Sequence, residues 1–356
     1  MAGVGKVVRI TSGFQQESPL HPSAKKVLEQ LFDRGWPDAE KINQSSREAA
    51  ILLSEAKNTF AKNLNTRADE IEFVGEVNLG FHLAISGLLK SNSKLIISAI
   101  DKQSIHAVKD AWENTGNQTQ ILKVNPQGQS QENKFAEEDL LVWQVANGET
   151  GIIQERPKSN SKIFADCTSS GVDYLPEFNY QTALFDSKSW QGPAGIGVLV
   201  IKQGAEWINP LPHNDYIRVP NTYSLPLVLA SAVALEAYVM EKTRVNGYKD
   251  QLIDQLMSSE LKFKLPIGKK NLAKYLTLIF ENIEADRLVL ELQDAGFAVD
   301  SGSACKAANM QPSHVLAAMG LPTTGGIRIT FHPQISSDEV AELGKALISS
   351  VTKLTN

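Results

Sequence analysis

Ile163-Phe164-Ala165-Asp166-Cys167-Thr168-Ser169-Ser170-Gly171 is the stretch on which the fold turns: a short apolar run ends in an aspartate and a string of small residues. A run of that length, bounded by turn-forming residues, reads as a buried strand. Comparable runs stand at Glu72-Phe73-Val74, Lys94-Leu95-Ile96-Ile97-Ser98, Leu140-Leu141-Val142-Trp143 and Gly197-Val198-Leu199-Val200-Ile201. Between them, amphipathic segments over 39–64 and 79–90 read as helices. Strands alternating with helices predict an α/β domain with a mostly parallel sheet. The polar stretch 125–133 reads as a surface loop before a further helix. The apolar segment 225–242 predicts a long helix leading out of this domain. Beyond it, Tyr275-Leu276-Thr277-Leu278-Ile279-Phe280 and Ile327-Arg328-Ile329-Thr330-Phe331 are expected as strands among helices. The expected division is a large domain over 15–245 and a smaller α+β domain from 1–14 and 246–356.

Composition narrows the class. With 356 residues, 42% of them hydrophobic, the chain can bury a large core. No run reaches the roughly 18 apolar residues of a membrane span, and the start, Met-Ala-Gly-Val-Gly-Lys-Val-Val-Arg-Ile, has no secretory apolar stretch. A cytoplasmic protein with no membrane partner is expected. Two cysteines, Cys167 and Cys305, are too few for a disulfide framework and lack metal-ligand spacing, so no metal is expected. A net charge of -5 is not the basic footprint that phosphate backbones require, and nucleic acid is not an expected partner.

Candidate chemistry lies near the C-terminus. Val299-Asp300-Ser301-Gly302-Ser303-Ala304-Cys305 precedes Gln311-Pro312-Ser313-His314 and Gly325-Gly326-Ile327-Arg328-Ile329. A lone cysteine among small residues, near a permanent cation, suits a thiol nucleophile acting on a carboxylate-bearing substrate. The plainer reading makes Cys305 a small buried hydrophobe and Arg328 an ion-pair partner. Together the two motifs resemble those of the cysteine desulfurases, a branch of the class V aminotransferases.

The resemblance spans residues 70–328 at motif level and implies a fold-type-I aminotransferase architecture and the cofactor pyridoxal 5'-phosphate. It assigns Cys305 as the sulfur-accepting nucleophile and Arg328 as the anchor of the substrate carboxylate. Asp166, ending its strand, would pair with the protonated pyridine nitrogen, with Ser169 in the following cofactor-binding run. Ala146-Asn147-Gly148-Glu149-Thr150-Gly151-Ile152-Ile153-Gln154 is similar to the family's Asn-Asn-Glu-Thr-Gly-Val-Ile-Gln, which gives Asn147 a bond to the cofactor's ring hydroxyl and a place beside the substrate. Asn-Gly followed by Thr-Gly is equally an ordinary turn.

Several matches depart from the family pattern. The family's Phe-Ser-Gly-His-Lys run carries the lysine that links covalently to the cofactor. Here Phe185-Asp186-Ser187-Lys188-Ser189 puts Ser189 at that position and Lys188 one residue early. In an extended segment a one-residue shift reverses the side chain, so Lys188 serves only if the chain bulges or turns there. Gly75-Glu76-Val77-Asn78-Leu79 matches the family's Ser-Gly-Ala-Thr-Glu phosphate loop, making Val77 and Asn78 phosphate-binding candidates, although asparagine is also a good helix cap. Lys102 stands where a histidine would stack on the ring, and either neutralises phosphate or is a solvated charge. Thr222, in Arg218-Val219-Pro220-Asn221-Thr222, matches a loop that reaches the partner subunit's phosphate, which implies a homodimer.

The resemblance therefore implies conversion of L-cysteine to alanine with a persulfide on Cys305, passed to a sulfur-acceptor protein for iron-sulfur or thio-cofactor synthesis. The alternatives are another class V aminotransferase or a selenocysteine lyase, and a non-catalytic relative that keeps a dimeric scaffold.

Overall fold

The computed structural model describes residues 12–17, 19–32, 37–131, 134–213, 219, 223–301 and 312–355. In chain order they begin β1 (Ser12–Gly13), α1 (Pro22–Phe32), α2 (Gln44–Leu64), β2 (Ile71–Val74), α3 (Val77–Ser86), β3 (Leu95–Ser98), α4 (Gln103–Asn114) and β4 (Thr119–Leu122). There follow β5 (Leu140–Gln144), β6 (Lys162–Asp166), β7 (Thr182–Asp186), β8 (Gly197–Ile201), α5 (Leu225–Glu241), α6 (Tyr248–Met257) and β9 (Tyr275–Ile279). The chain closes with α7 (Ala285–Asp294), β10 (Phe297–Ala298), β11 (Asp300–Ser301), α8 (His314–Ala318), β12 (Gly326–Thr330) and α9 (Ser337–Thr355).

Seven strands form one sheet in the order β2-β8-β7-β6-β5-β3-β4. Only β8 runs against its neighbours β2 and β7; every other pairing is parallel, as the sequence leads one to expect. β5, β7 and β8 are buried along their whole length, because helices cover both faces of such a sheet. Parallel order sends the carboxyl ends of β3, β5 and β6 to one edge, and the chain after each strand emerges there. A second sheet, β11-β12-β9, is antiparallel, and β1 pairs in parallel with β10. Around them Leu276, Leu278, Leu288, Leu292, Ile327, Ile329 and Leu343 form a separate core.

Local chemistry explains where elements differ from expectation. α2 starts at Gln44 rather than 39, because the Asn43 side chain accepts the Ser46 amide at 2.8 Å and caps the helix there. α3 covers Val77–Ser86 rather than 79–90, with Glu76 as its cap and Gly87 at its end, where the indole of Trp207 approaches too closely for a Cβ. Among the described residues no helix lies between the polar loop and β5. Only 134–139 separate it from β5, less than two helical turns, and its far side is fastened by Gln129 to the Ile153 carbonyl and by Gln154 to the Ser130 amide.

α5 is apolar nearly all round and lies against both α1 and α2. Its small residues Ala230, Ser231, Ala232 and Ala234 are buried. Ser231 shares a 2.6 Å hydrogen bond with Ser187 and accepts one from the Trp190 indole at 3.2 Å, which seats the one-turn 3₁₀ helix Ser187–Trp190 on α5.

Gly325, just before β12, has φ +74°, and a Cβ there would lie 1.9 Å from the Phe280 carbonyl oxygen. Gly325→Ala is expected to lower unfolding free energy by at least about 2 kcal/mol, because both conformation and space forbid a side chain. Denaturant unfolding of the variant checks this, and an unchanged midpoint would contradict it.

Candidate active site

Asp166 is the last residue of β6 and is almost fully buried. Its Oδ1 accepts the Thr168 amide at 2.9 Å and the Thr168 hydroxyl at 2.5 Å, a tight turn of the kind aspartate forms with the backbone two residues on. Its Oδ2 is buried with no partner among the described residues. A carboxylate oxygen in that state calls for a donor, and the protonated pyridine nitrogen of pyridoxal phosphate is one of fitting charge. The Ser169 hydroxyl, beside it, is likewise buried without a partner among the described residues. Lys102, at the N-cap of α4, donates to the Thr168 hydroxyl and lies 5.9 Å from the Phe81 ring centre. It is therefore bound into the Asp166 turn rather than solvated. Next to it Asp101 is fully buried, and burial, reinforced by the Asp166 charge, pushes its carboxyl well above the usual range.

The lysine run is a turn, not an extended segment. In the 3₁₀ helix Ser187–Trp190 successive side chains diverge by about 120° rather than 180°, so Lys188 and Ser189 leave the turn in different but not opposite directions. Ser189 donates to the Asp186 carbonyl at 2.8 Å and packs on Gly171, where a Cβ would come within 2.4 Å of its hydroxyl oxygen. The Lys188 ammonium stands 3.9 Å from Asp186 and 3.8 Å from Glu17, about one-third exposed. Burial holds the Asp186 carboxyl above the usual range, against the attraction of Lys188 and Lys102. From behind, the buried Lys274 ammonium donates to the Ser189 carbonyl at 3.0 Å and pairs with Asp173 at 2.6 Å.

At the phosphate-loop position the exposed Glu76 carboxylate accepts the Leu79 amide at 2.8 Å and caps α3, whose first residue is Val77. Asn78 accepts from the Ser104 hydroxyl through its side-chain oxygen, which leaves its NH2 group as the end able to meet an anion. A phosphate at this helix start has to displace or neutralise Glu76, since two anions compete for one set of amides.

Asn147 spends its side chain inside the protein. Its Oδ1 accepts the Glu149 and Thr150 amides at 2.9 Å, and its Nδ2 donates to Gln144 and to the Ile100 carbonyl. The turn it shapes presents Gly148 and Glu149 to the antiparallel sheet. Arg328, on β12, donates through Nη1 to the Gly148 carbonyl at 3.4 Å and through Nη2 to Asp300 at 3.0 Å, while Nε is buried with no partner among the described residues. Glu149 accepts the Ser313 hydroxyl at 2.6 Å, and burial pushes its carboxyl up to about 7 against the pull of Ser313 and Arg328. His314 follows, its Nε2 bonded to the Asp101 carbonyl at 2.9 Å. Sequence reading assigned no role to Glu76, Asp101, Glu149, Lys274 or Asp300, although Glu76, Glu149 and Asp300 lie inside the motif stretches quoted above and Asp101 adjoins Lys102. Cys305 and Thr222 lie outside the described residues. Among the described residues no group of three or more His, Cys, Asp or Glu could hold a metal ion, and no helix is long and apolar enough to cross a membrane.

Comparison with known proteins matches residues 38–214 to the aminotransferase class-V family. Cysteine desulfurase IscS of Methanosarcina thermophila is 25% identical over 96% of this chain and 93% of its own length. Cysteine desulfurase IscS of Rickettsia bellii is 26% identical over 98% and 92%. Among solved structures, a NifS-like protein superposes with a TM-score of 0.84 at 19% identity over 96% of this chain and all of its own. The apo cysteine desulfurase of Thermococcus onnurineus NA1 does so with a TM-score of 0.80 at 16% identity, covering 96% and 95%; at these identities the likeness is one of fold.

The Glu149 carboxyl gives a pH signature. Its folded value of about 7 lies above the ordinary 4.5, so the stability it contributes is complete below 4.5 and is lost as pH rises through about 7. Glu149→Gln keeps the acceptor for Ser313 without the charge, and should raise stability at about pH 8 by on the order of 2 kcal/mol while doing nothing favourable at about pH 4.5. Unfolding at both pH values tests this; a difference independent of pH would contradict it.

Proposed function

We propose that this chain, similar over residues 38–214 to the class V aminotransferases and over nearly its whole length to cysteine desulfurases, is a pyridoxal-phosphate-dependent enzyme of that family that converts L-cysteine to alanine and leaves the sulfur as a persulfide on Cys305. The observation that carries the reading is the buried Oδ2 of Asp166, without a partner among the described residues, at the carboxyl end of a central strand. Asp166 would hold the ring nitrogen of the cofactor, with Ser169 and Lys102 beside it, and Val77 and Asn78 at the phosphate. Asn147 acts by shaping the turn that faces the substrate. When bound, the cofactor supplies an electron sink for the pair left on the substrate's α-carbon.

The chain's own residues do the rest. Arg328 grips the substrate carboxylate, which orients the amino acid. Lys188, the residue that would hold the cofactor, would move the substrate's α-proton as base and then as acid. The Cys305 thiolate attacks the substrate sulfur: an S–S bond forms, the C–S bond breaks with its electron pair left on carbon, and protonation completes alanine. The persulfide passes to an acceptor protein serving iron-sulfur or thio-cofactor synthesis. A cytoplasmic homodimer, with Thr222 of each subunit near the other's phosphate, and domains at 15–245 and at 1–14 with 246–356, complete the proposal.

The Glu76 cap favours a second reading, in which the scaffold persists without the cofactor. One experiment separates the two. Purified protein is incubated with pyridoxal phosphate and borohydride, and peptides are mapped by mass. The expected result is a single modified lysine, Lys188, lost in Lys188→Ala and kept in Ser189→Ala. Modification at Lys102 instead would overturn the Lys188 assignment, and absence of any modified lysine would favour the scaffold. With cofactor bound, Cys305→Ser should abolish persulfide and sulfide formation while leaving the cofactor absorbance intact. Unchanged alanine release from L-cysteine by that variant would move the protein to the aminotransferase or lyase class.

A further inference from the structure

We propose that Asp300 sets the strength of substrate binding, as a carboxylate built into the chain that competes with the substrate's α-carboxylate for Arg328. The inference rests on the reading of Arg328 as the carboxylate anchor and adds what controls it.

Strand register produces the pair. β11 and β12 are antiparallel with Asp300 directly opposite Arg328, and directly opposed residues put their side chains on the same face. Arg328 Nη2 donates to Asp300 Oδ2 at 3.0 Å, each side chain about one-fifth exposed. The same Asp300 oxygen accepts the Gln16 amide at 2.8 Å, so the backbone beyond β1 holds the carboxylate in place. Asp300 is thus not a wandering surface acid but a positioned one.

A guanidinium offers a carboxylate two forks, Nε with Nη2 or Nη1 with Nη2. Nη2 is common to both, and Asp300 sits on it. The other two nitrogens are the poorly satisfied ones: Nη1 makes only a 3.4 Å contact with the Gly148 carbonyl, and Nε is buried without a partner among the described residues. Glu149 places a second carboxyl close enough to feel the Arg328 charge. An incoming α-carboxylate therefore meets a cation already neutralised, and must either displace Asp300 or share one guanidinium with it. Free amino acids bind less tightly than the arginine alone would allow.

The test uses the holoenzyme and L-alanine, the product of the proposed reaction, as the ligand, read by titration calorimetry and by the guanidinium NMR signal of Arg328. Asp300→Asn keeps an acceptor for the Gln16 amide and removes the charge. It should bind L-alanine at least about tenfold more tightly than the parent and shift the guanidinium signal on titration. Asp300→Ser provides the same comparison should the asparagine variant unfold. Equal or weaker binding by both variants overturns the role of Asp300 while leaving Arg328 as anchor. Arg328→Gln in the Asp300→Asn background should abolish the gain; a gain that survives it shows that the carboxylate sits elsewhere, which overturns both the anchor reading and this inference.

Discussion

A carboxylate buried at the end of a central strand demands donors, and the neighbourhood of Asp166 is organised around that demand. Parallel pairing places β6 between β5 and β7, with the chain after each strand opening at the same edge. The Thr168 amide and hydroxyl satisfy one oxygen, and Lys102 joins through that same hydroxyl. Gly148 and Gly171 are glycines because Ser169 and Ser189 occupy the space their side chains would need. The second oxygen, without a partner among the described residues, is the point at which the proposed cofactor would meet the protein.

The turn that carries Lys188 is held from two sides by different physics. On one side the apolar α5 packs its small residues against it and ties Ser187 and Trp190 through Ser231. On the other, Lys274 reaches the Ser189 carbonyl from just before β9. Burial opposes a charge on Lys274, but Asp173 at 2.6 Å outweighs it and keeps the ammonium above its usual range. The rings of Tyr238 and Tyr275 add faces on which the cation rests. A buried pair of this kind adds little net stability but makes loss of either partner costly, so it defines position more than it adds strength.

The antiparallel sheet meets the large one through polar contacts around a single turn. Asn147 shapes it, Arg328 and Thr277 donate to its carbonyls at Gly148 and Glu149, and Ser313 donates to the Glu149 carboxyl. Ser313 also caps α8, so that helix is tied to the same turn as the proposed carboxylate anchor.

What the sequence determined by itself was local and periodic. Short apolar runs ending in turn residues declared the parallel sheet, and the aspartate ending one of them, the cysteine among small residues and the arginine flanked by isoleucines declared the candidate chemistry. Each of those signals is contained within a few consecutive residues, where spacing alone constrains geometry. Only the tertiary structure decided which charges share a site. Lys102 and Thr168, Asp300 and Gln16, Lys274 and Asp173, and Glu149 and Ser313 are each brought together across long stretches of chain. It also showed that Ser187–Trp190 is a turn rather than an extended segment, and that Glu76 caps the helix where an anion was expected. The physical reason is that secondary structure follows from nearest neighbours, whereas the state of a charge depends on every group packed around it.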